Sequence, residues 1–466
     1  MRTTANETRA YHQWAYETFS GVEVGNRRRT YRVIALAAGI AARPAGTVTE
    51  VFSDSADREG AYRVLSNDSV GDAAITSAMC DATAQTCASL AKVYVPIDGS
   101  TLSLTDRTGG RGLGGVGAWK DYGQGLQVIT ALALDSEGVP IGVAAQTWWA
   151  RTERSPKKRN SRRKLDEKET RYAVATFDGA MTRLREQCPD TRAIALMDRG
   201  FDCWPILQRA SDKDTAFIVR AQYSRRLANG PRGGRRYLRS TLESQPILGR
   251  YSIEVPERPG RPARVARMQV QATRVTLELR VSKKRREYVE LNAVLAREVG
   301  GPRAASLSWM LLTTEPIDRF SQVVDIVHAY TFRWRIEEMH RAWKRGGGNV
   351  EDTQLRSRQA IIKWATLHCA VATRAVRLAQ LARTQPELPA NEEFSQTEID
   401  AAIALSKRRT TFTFGDIPSL EELVRLVADI GGYAGRSSGP PGPTVITRGL
   451  ERIAIAVEVL SAVRKK

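Results

Sequence analysis

Three acidic residues, Asp98, Asp198 and Glu337, stand where a polypeptide could bring hard oxygen ligands to one point. Asp98 closes the β-rich run KVYVPID, Asp198 closes RAIALMD just ahead of the turn-forming Gly200, and Glu337 falls inside a long helical pattern. Two aspartates at strand ends of one sheet, joined by a glutamate on a helix packed against it, can converge. Such a donor set suits Mg²⁺, which keeps several waters and takes phosphate oxygens as its remaining ligands. Two ions held in this way, with Mn²⁺ as a substitute, can activate an attacking water and stabilise the leaving oxygen in an in-line displacement at phosphorus. Aspartates at strand ends also serve as plain turn residues, so their spacing alone does not decide the role.

The stretch YTFRWRIEEMHRAWK bears on that question. Read as part of one helix from about Ser321 to Arg345, stopped by Gly346-Gly347-Gly348, it puts Tyr330, Arg333, Glu337, Arg341 and Lys344 on a single face. Phe332, Ile336, Met339 and Trp343 form an apolar stripe on another face, able to bury the helix against a sheet. A salt-bridged solvent face would explain the glutamate but not the tyrosine, two arginines and lysine around it. A carboxylate flanked by phosphate ligands explains them all. His340 lies close to Glu337 on this pattern, where it either assists proton transfer or packs; His12, His328 and His368 are too dispersed for a metal cluster. The sequence has no nucleophile elbow and no P-loop, so neither triad hydrolysis nor ATP-driven chemistry is indicated, and no nucleotide cofactor is expected. Gly110-x-Gly112-x-x-Gly115 has a dinucleotide-binding spacing, but AWKDYGQG runs on into β-rich sequence where a helix should open, so Gly109 to Gly117 reads as a loop beside the active site.

The elements that must carry these residues follow from pattern. A length of 466 residues suggests about three domains. Residues 92–150 read as three or more sequential antiparallel strands, AFIVRA and LSWMLLTT as further strands, and 222–303 as a basic, Pro-rich β insertion. Residues 355–384 and 395–466 are helical in pattern, interrupted near Pro386 to Pro389 and Pro440 to Pro443. Arg151 to Arg171 reads as an exposed basic loop or helix start. Arg27, Arg28, Arg29 and Arg32 lead into an Ala-rich helix ended by Pro44, and phosphate contact is at least as good an account of them as a solvated face. The balance of 71 Lys+Arg against 51 Asp+Glu gives +20, which makes nucleic acid the leading partner. No apolar span or basic amphipathic helix supports membrane binding. Five scattered cysteines without C-x-x-C spacing argue against a zinc site or disulfide framework, and the start lacks a signal-peptide core, so a cytoplasmic setting is expected.

These residues carry a resemblance. Tyr330-x-x-Arg333-x-x-x-Glu337-x-x-x-x-x-x-Lys344 matches the Y-R-E-K signature of insertion-sequence transposases, and its surroundings closely resemble the cut-and-paste DDE transposases of the insertion-sequence-four group, of the Tn-five type. The likeness extends to LSWMLLTTEP with Trp309, FIVRA with Arg220, DRGFD after Asp198, the pair Trp148-Trp149, GNRRRTYR, and EGAYR with Tyr62 and Arg63, covering the chain to about residue 384. It implies an α/β fold: a ribonuclease H-like catalytic core with an inserted β-subdomain, flanked by an N-terminal helical DNA-binding domain and a C-terminal helical domain. The expected boundaries are 1–70, 71–370 with the insertion at about 222–303, and 371–466. It further implies a catalytic triad of Asp98, Asp198 and Glu337 holding two Mg²⁺ ions, with double-stranded transposon ends and target DNA as partners. Water would nick one strand, the freed 3′-hydroxyl would form a hairpin on the other, and the hairpin would reopen before insertion into target DNA. Tyr330, Arg333 and Lys344 would hold hairpin phosphates, Trp309 would stack on a flipped base, and the C-terminal helices would make a homodimer working on the nucleoid of a bacterial cytoplasm. Asn26 and Gly99 depart from the family pattern, Gly99 at a place where it could loosen a strand end, and Gly109 to Gly117 has no counterpart. A related nuclease without strand transfer and a non-catalytic DNA-binding regulator are the alternatives; the presence of all three acids speaks against the second.

Overall fold

The computed structural model describes residues 13–107, 109–117, 123–151, 164–228, 236–255, 263–282, 284–301, 306–345, 347–406, 410–435 and 439–463. His12, Arg232, Arg235 and most of the basic stretch from Arg151 to Arg171 lie outside them.

The centre is a ten-stranded mixed sheet of β1 (Lys92–Leu104), β2 (Gly114–Val116), β3 (Gly123–Leu134), β4 (Pro140–Trp149), β5 (Arg192–Met197), β6 (Ala216–Arg220), β7 (Gly249–Val255), β8 (Arg264–Arg280), β9 (Arg286–Glu298) and β10 (Ser308–Thr313). β4, β3 and β1 are antiparallel, while β5 and β6 continue from β1 in parallel. The order β4-β3-β1-β5-β6 is the expected ribonuclease H-like core.

Strand alternation divides the interior in two. Val93, Val95, Ile97, Ala195, Met197, Phe217 and Val219 face one core, covered by Phe177, Ala180 and Leu184 of helix α4 (Thr170–Gln187). Tyr94, Leu102, Ile194, Leu196 and Ile218 face the other. That second core is closed by α5 (Phe320–Thr331), α6 (Trp334–Lys344) and the 27-residue α7 (Arg358–Thr384). Before the sheet come α1 (Arg27–Ala42), α2 (Ser55–Ser66) and α3 (Asp72–Cys87); after α7 come α8 (Gln396–Leu405), α9 (Leu420–Ile430) and α10 (Pro443–Val463). Lys363 on α7 is buried and donates to the carbonyls of Leu65 and Asn67 at 3.0 and 2.9 Å, capping the C-terminal end of α2 with a cation.

Three expectations are revised. Asp98 does not end its strand: β1 runs on to Leu104, with Gly99 paired to Ile129, so the glycine leaves the strand intact. The helix around Glu337 is two helices, because the N–H groups of Phe332 and Arg333 reach back three residues to Ala329 and Tyr330, tightening the turn between α5 and α6. Gly114–Val116 is an edge strand on β3 rather than loop. The strands of the expected insertion are present, and Asn292 to Arg297 of β9 pair with β10, so β7, β8 and β9 extend the core sheet.

Candidate active site

The register of β1 against β5 places the two aspartates. Their parallel ladder ends at Ile97 opposite Met197, so Asp98 and Asp198 are the next residues on adjacent strands. By alternation both belong to the face that holds Tyr94, Ile194 and Leu196, the face on which α6 packs. The Asp98 carboxylate accepts the Gly99 N–H at 2.8 Å. Asp198 accepts the Gly200 N–H at 2.7 Å, capping a short 3₁₀ turn that leads the chain away from β5.

Glu337 reaches the same place from above. Ile336, Met339 and Trp343 bury the underside of α6, which holds Glu337 at its first turn. Its Oε1 accepts the Arg333 Nη2–H at 2.6 Å, and Arg333 Nη1 stands 4.0 Å from Asp98 Oδ2. One buried guanidinium therefore faces two of the three acids. It does not balance them. Burial, then the charge on Asp198, pushes the Asp98 carboxyl up to about 7, with Glu337 adding to the rise and Arg333 and the Gly99 amide opposing it. A cluster this rich in carboxylate, with no thiolate or imidazole in it, fits a hard divalent cation. Among the described residues no three acidic, histidine or cysteine side chains stand close enough to hold an ion between them; Glu337 is turned to Arg333 instead.

Around this cluster sit most of the remaining predicted residues. Tyr330 is buried beneath Arg333, its hydroxyl pushed up by burial, and the Trp309 ring meets it edge-on at 6.0 Å. Arg220, at the end of β6, interacts with Tyr330 and donates to the Ser308 carbonyl at 2.9 Å. The Arg333 guanidinium also lies 4.8 Å over the Trp334 ring. Lys344, at the far end of α6, donates to the Thr101 carbonyl at 2.6 Å, and Arg341 is exposed. These residues do not share one continuous helix as expected, and Tyr330 and Arg333 are buried. His340 is buried with Nε2 unpartnered, and burial lowers its imidazole to about 3, which favours packing over proton transfer as its role.

Pattern reading missed Asp202. Its fully buried carboxylate accepts the Gln222 N–H at 2.8 Å and pairs with Arg225 at 2.6 Å, pinning the segment after β6 to the turn that carries Asp198. The only signal was a second aspartate in DRGFD.

The N-terminal basic residues form a separate surface. Asn26 caps α1 by accepting the Arg29 N–H at 3.0 Å, which gives the departure from the family pattern a structural job. Arg27, Arg28 and Arg32 are exposed, and Arg32 lies alongside Gly60 of α2. Arg29 donates back to the Val24 carbonyl at 3.2 Å. Tyr62 is exposed, and Arg63 pairs with Glu59 one turn earlier.

Comparison with protein families agrees with this order of parts. Residues 11–70 match a transposase DNA-binding family, residues 153–374 a transposase DDE domain that takes in Asp198 and Glu337, and residues 370–465 the Tn5 transposase dimerisation domain. With a DNA-binding unit, a DDE catalytic unit and a dimerisation unit in sequence, the chain belongs to the DDE transposases and resembles the Tn5 type.

Proposed function

We propose that this transposase acts by cut and paste, with Asp98, Asp198 and Glu337 as the residues that hold its divalent ions. The observation that carries the reading is the adjacency of Asp98 and Asp198 on β1 and β5, with Glu337 on the helix packed over the same face. Two Mg²⁺ ions, or Mn²⁺ in their place, would supply activation of a water and charge neutralisation at the leaving oxygen. The protein's own residues do the rest. Asp98 and Asp198 are fixed by main-chain N–H groups before any ion arrives, so little ordering remains to be done on binding. Arg333 holds Glu337 and faces Asp98, limiting the repulsion among the acids in the absence of DNA. Tyr330, Arg333, Arg341, Lys344 and Arg220 bind phosphates around the scissile bond, and Trp309 offers an aromatic face to an unstacked base.

The end sequence is bound by α1 and α2, through Arg27, Arg28, Arg29, Arg32, Tyr62 and Arg63, and the C-terminal helices pair two copies of the chain. Nicking, hairpin formation, hairpin opening and insertion into target DNA follow in order, on the bacterial nucleoid and without a nucleotide cofactor. The test incubates purified protein with DNA carrying the flanking ends of its element and Mg²⁺, and resolves products on a denaturing gel. A nick followed by a hairpin is expected; nicks without hairpins would leave a nuclease. Alanine at Asp98, Asp198 or Glu337 is expected to abolish cutting while end binding persists, and retained cutting in any of them would refute the assignment.

A further inference from the structure

Beyond Ile97, β1 loses its partner on the β5 side, because β5 stops at Met197. The main-chain groups on that edge must find other partners. Two side chains supply them. Lys344 Nζ donates to the Thr101 carbonyl at 2.6 Å, and Glu351 Oε1 accepts the Ser103 N–H at 2.7 Å. The same Glu351 oxygen lies 3.3 Å from Lys344 Nζ. The end of the helix bearing Glu337 is thereby tied to the strand bearing Asp98.

The turn that presents Glu351 is itself held from several sides. Asn349 has a left-handed backbone, φ +37°, a conformation asparagine tolerates better than most residues. Its carbonyl packs so closely on Gly46 that a Cβ there would sit 2.4 Å from the oxygen. Trp364 Nε1 donates to the Gly46 carbonyl at 3.0 Å. Arg111, from the glycine-rich stretch that had no assigned role, donates to the carbonyls of Leu355 at 2.8 Å and Thr353 at 3.0 Å and also to that of Thr105. One arginine thus binds the far end of β1 to the segment that follows Glu351.

We propose that Glu351 is a positioning residue for strand cleavage: its ion pair fixes the Lys344 ammonium against β1 so that a free N–H is presented to a DNA phosphate. The proposal rests on the reading of Lys344 as a phosphate ligand. An ammonium has three donors; one is committed to the Thr101 carbonyl and Glu351 stands beside it as an ion pair, so N–H groups remain for a phosphate. Without Glu351 the lysine keeps its charge but loses its fixed direction, so the effect falls on the rate with DNA bound and not on affinity.

The experiment is a double-mutant cycle on the full-length protein, measuring end binding and the Mg²⁺-dependent nicking rate at saturating DNA. Lys344→Ala and Glu351→Ala are each expected to slow nicking, the latter by about tenfold as for loss of a charged hydrogen bond. The double variant should be no slower than Lys344→Ala alone, and the affinity of Glu351→Ala for the end should match the wild type. Glu351→Gln, which keeps an acceptor for Ser103, should regain part of the rate; it replaces alanine in the cycle if Glu351→Ala does not fold. Losses that multiply in the double variant, or an unimpaired single variant at Glu351, would overturn the proposal while leaving Lys344 in its role. An unimpaired Lys344→Ala would instead sink the reading of Lys344, and the proposal with it.

Discussion

Replacing Asp98 by asparagine should stabilise the protein at alkaline pH when no divalent cation is present. The side chain is 20% exposed and shares its surroundings with Asp198 and Glu337, and its carboxyl rises from 3.8 to about 7 in the folded chain. Below about pH 4 the group is protonated whether the chain is folded or not, so the substitution gains nothing there. Between about pH 4 and 7 the unfolded chain has released this proton and the folded chain has not, so wild-type stability falls as pH rises, at roughly 1.4 kcal/mol per unit. Above 7 the deficit levels off on the order of 4 kcal/mol. Asparagine has nearly the same shape and carries no charge to desolvate. At ~2.1 cal/mol/K per residue, a chain this long unfolding cooperatively shifts by about 1 °C per kcal/mol, so Asp98→Asn should melt about 4 °C above wild type at pH 8 in EDTA. The gap should close at pH 4. Added Mg²⁺ should raise the wild-type melting temperature more than the variant's, because an ion bound only by the folded state stabilises it by mass action. Calorimetry at both pH values, with and without Mg²⁺, decides the matter. A variant no more stable than wild type at pH 8 would refute the electrostatic reasoning, and equal responses to Mg²⁺ would refute the role of Asp98 in holding an ion.

Three further outcomes are expected. Asp202→Ala strands the Arg225 guanidinium, only 17% exposed, without its partner, and should cost about 3–5 kcal/mol in denaturant unfolding; a loss within 1 kcal/mol would show that the pair matters little. Neutralising Arg27 and Arg28, both exposed on α1, should lower the slope of log affinity against log salt by about one for each phosphate the protein no longer neutralises; an unchanged slope would remove them from the DNA interface. His340→Leu should leave the pH profile of nicking where it is, since the imidazole stays neutral throughout the working range; a displaced acid limb would return His340 to proton transfer.

What pattern could and could not show is clear from single residues. The β-rich runs ending in Asp98 and Asp198 let pattern bring the two acids toward one point, and the stripe Ile336, Met339, Trp343 told which side of the helix is buried, but that both acids share a face needed the register of β1 against β5. The length of β1 was hidden by Pro96 and Gly99, both strand breakers by propensity. Pairing with β3 lapses around Pro96 and resumes in the same register at Ile97, while β5 holds the other edge. The break after Thr331 carries no glycine or proline and arises from three-residue hydrogen bonding fixed by packing, with the Phe332 ring 5.5 Å from that of Tyr94. Patterning identified the inserted strands but not their neighbour, because the pairing of β9 with β10 depends on which edge is free. Hydrogen bonds such as those of Glu351 with Ser103, or Arg111 with Leu355, join residues more than 240 positions apart and leave no periodic trace.

The most direct measurement of the central claim replaces Mg²⁺ with Fe²⁺ and generates hydroxyl radicals at the bound ion, mapping where the polypeptide is cut. Backbone cleavage beside Asp98, Asp198 and Glu337 together, suppressed by competing Mg²⁺ and lost in Asp198→Ala, is the predicted result. Cleavage at only one of the three positions, or a pattern indifferent to Mg²⁺, would contradict it.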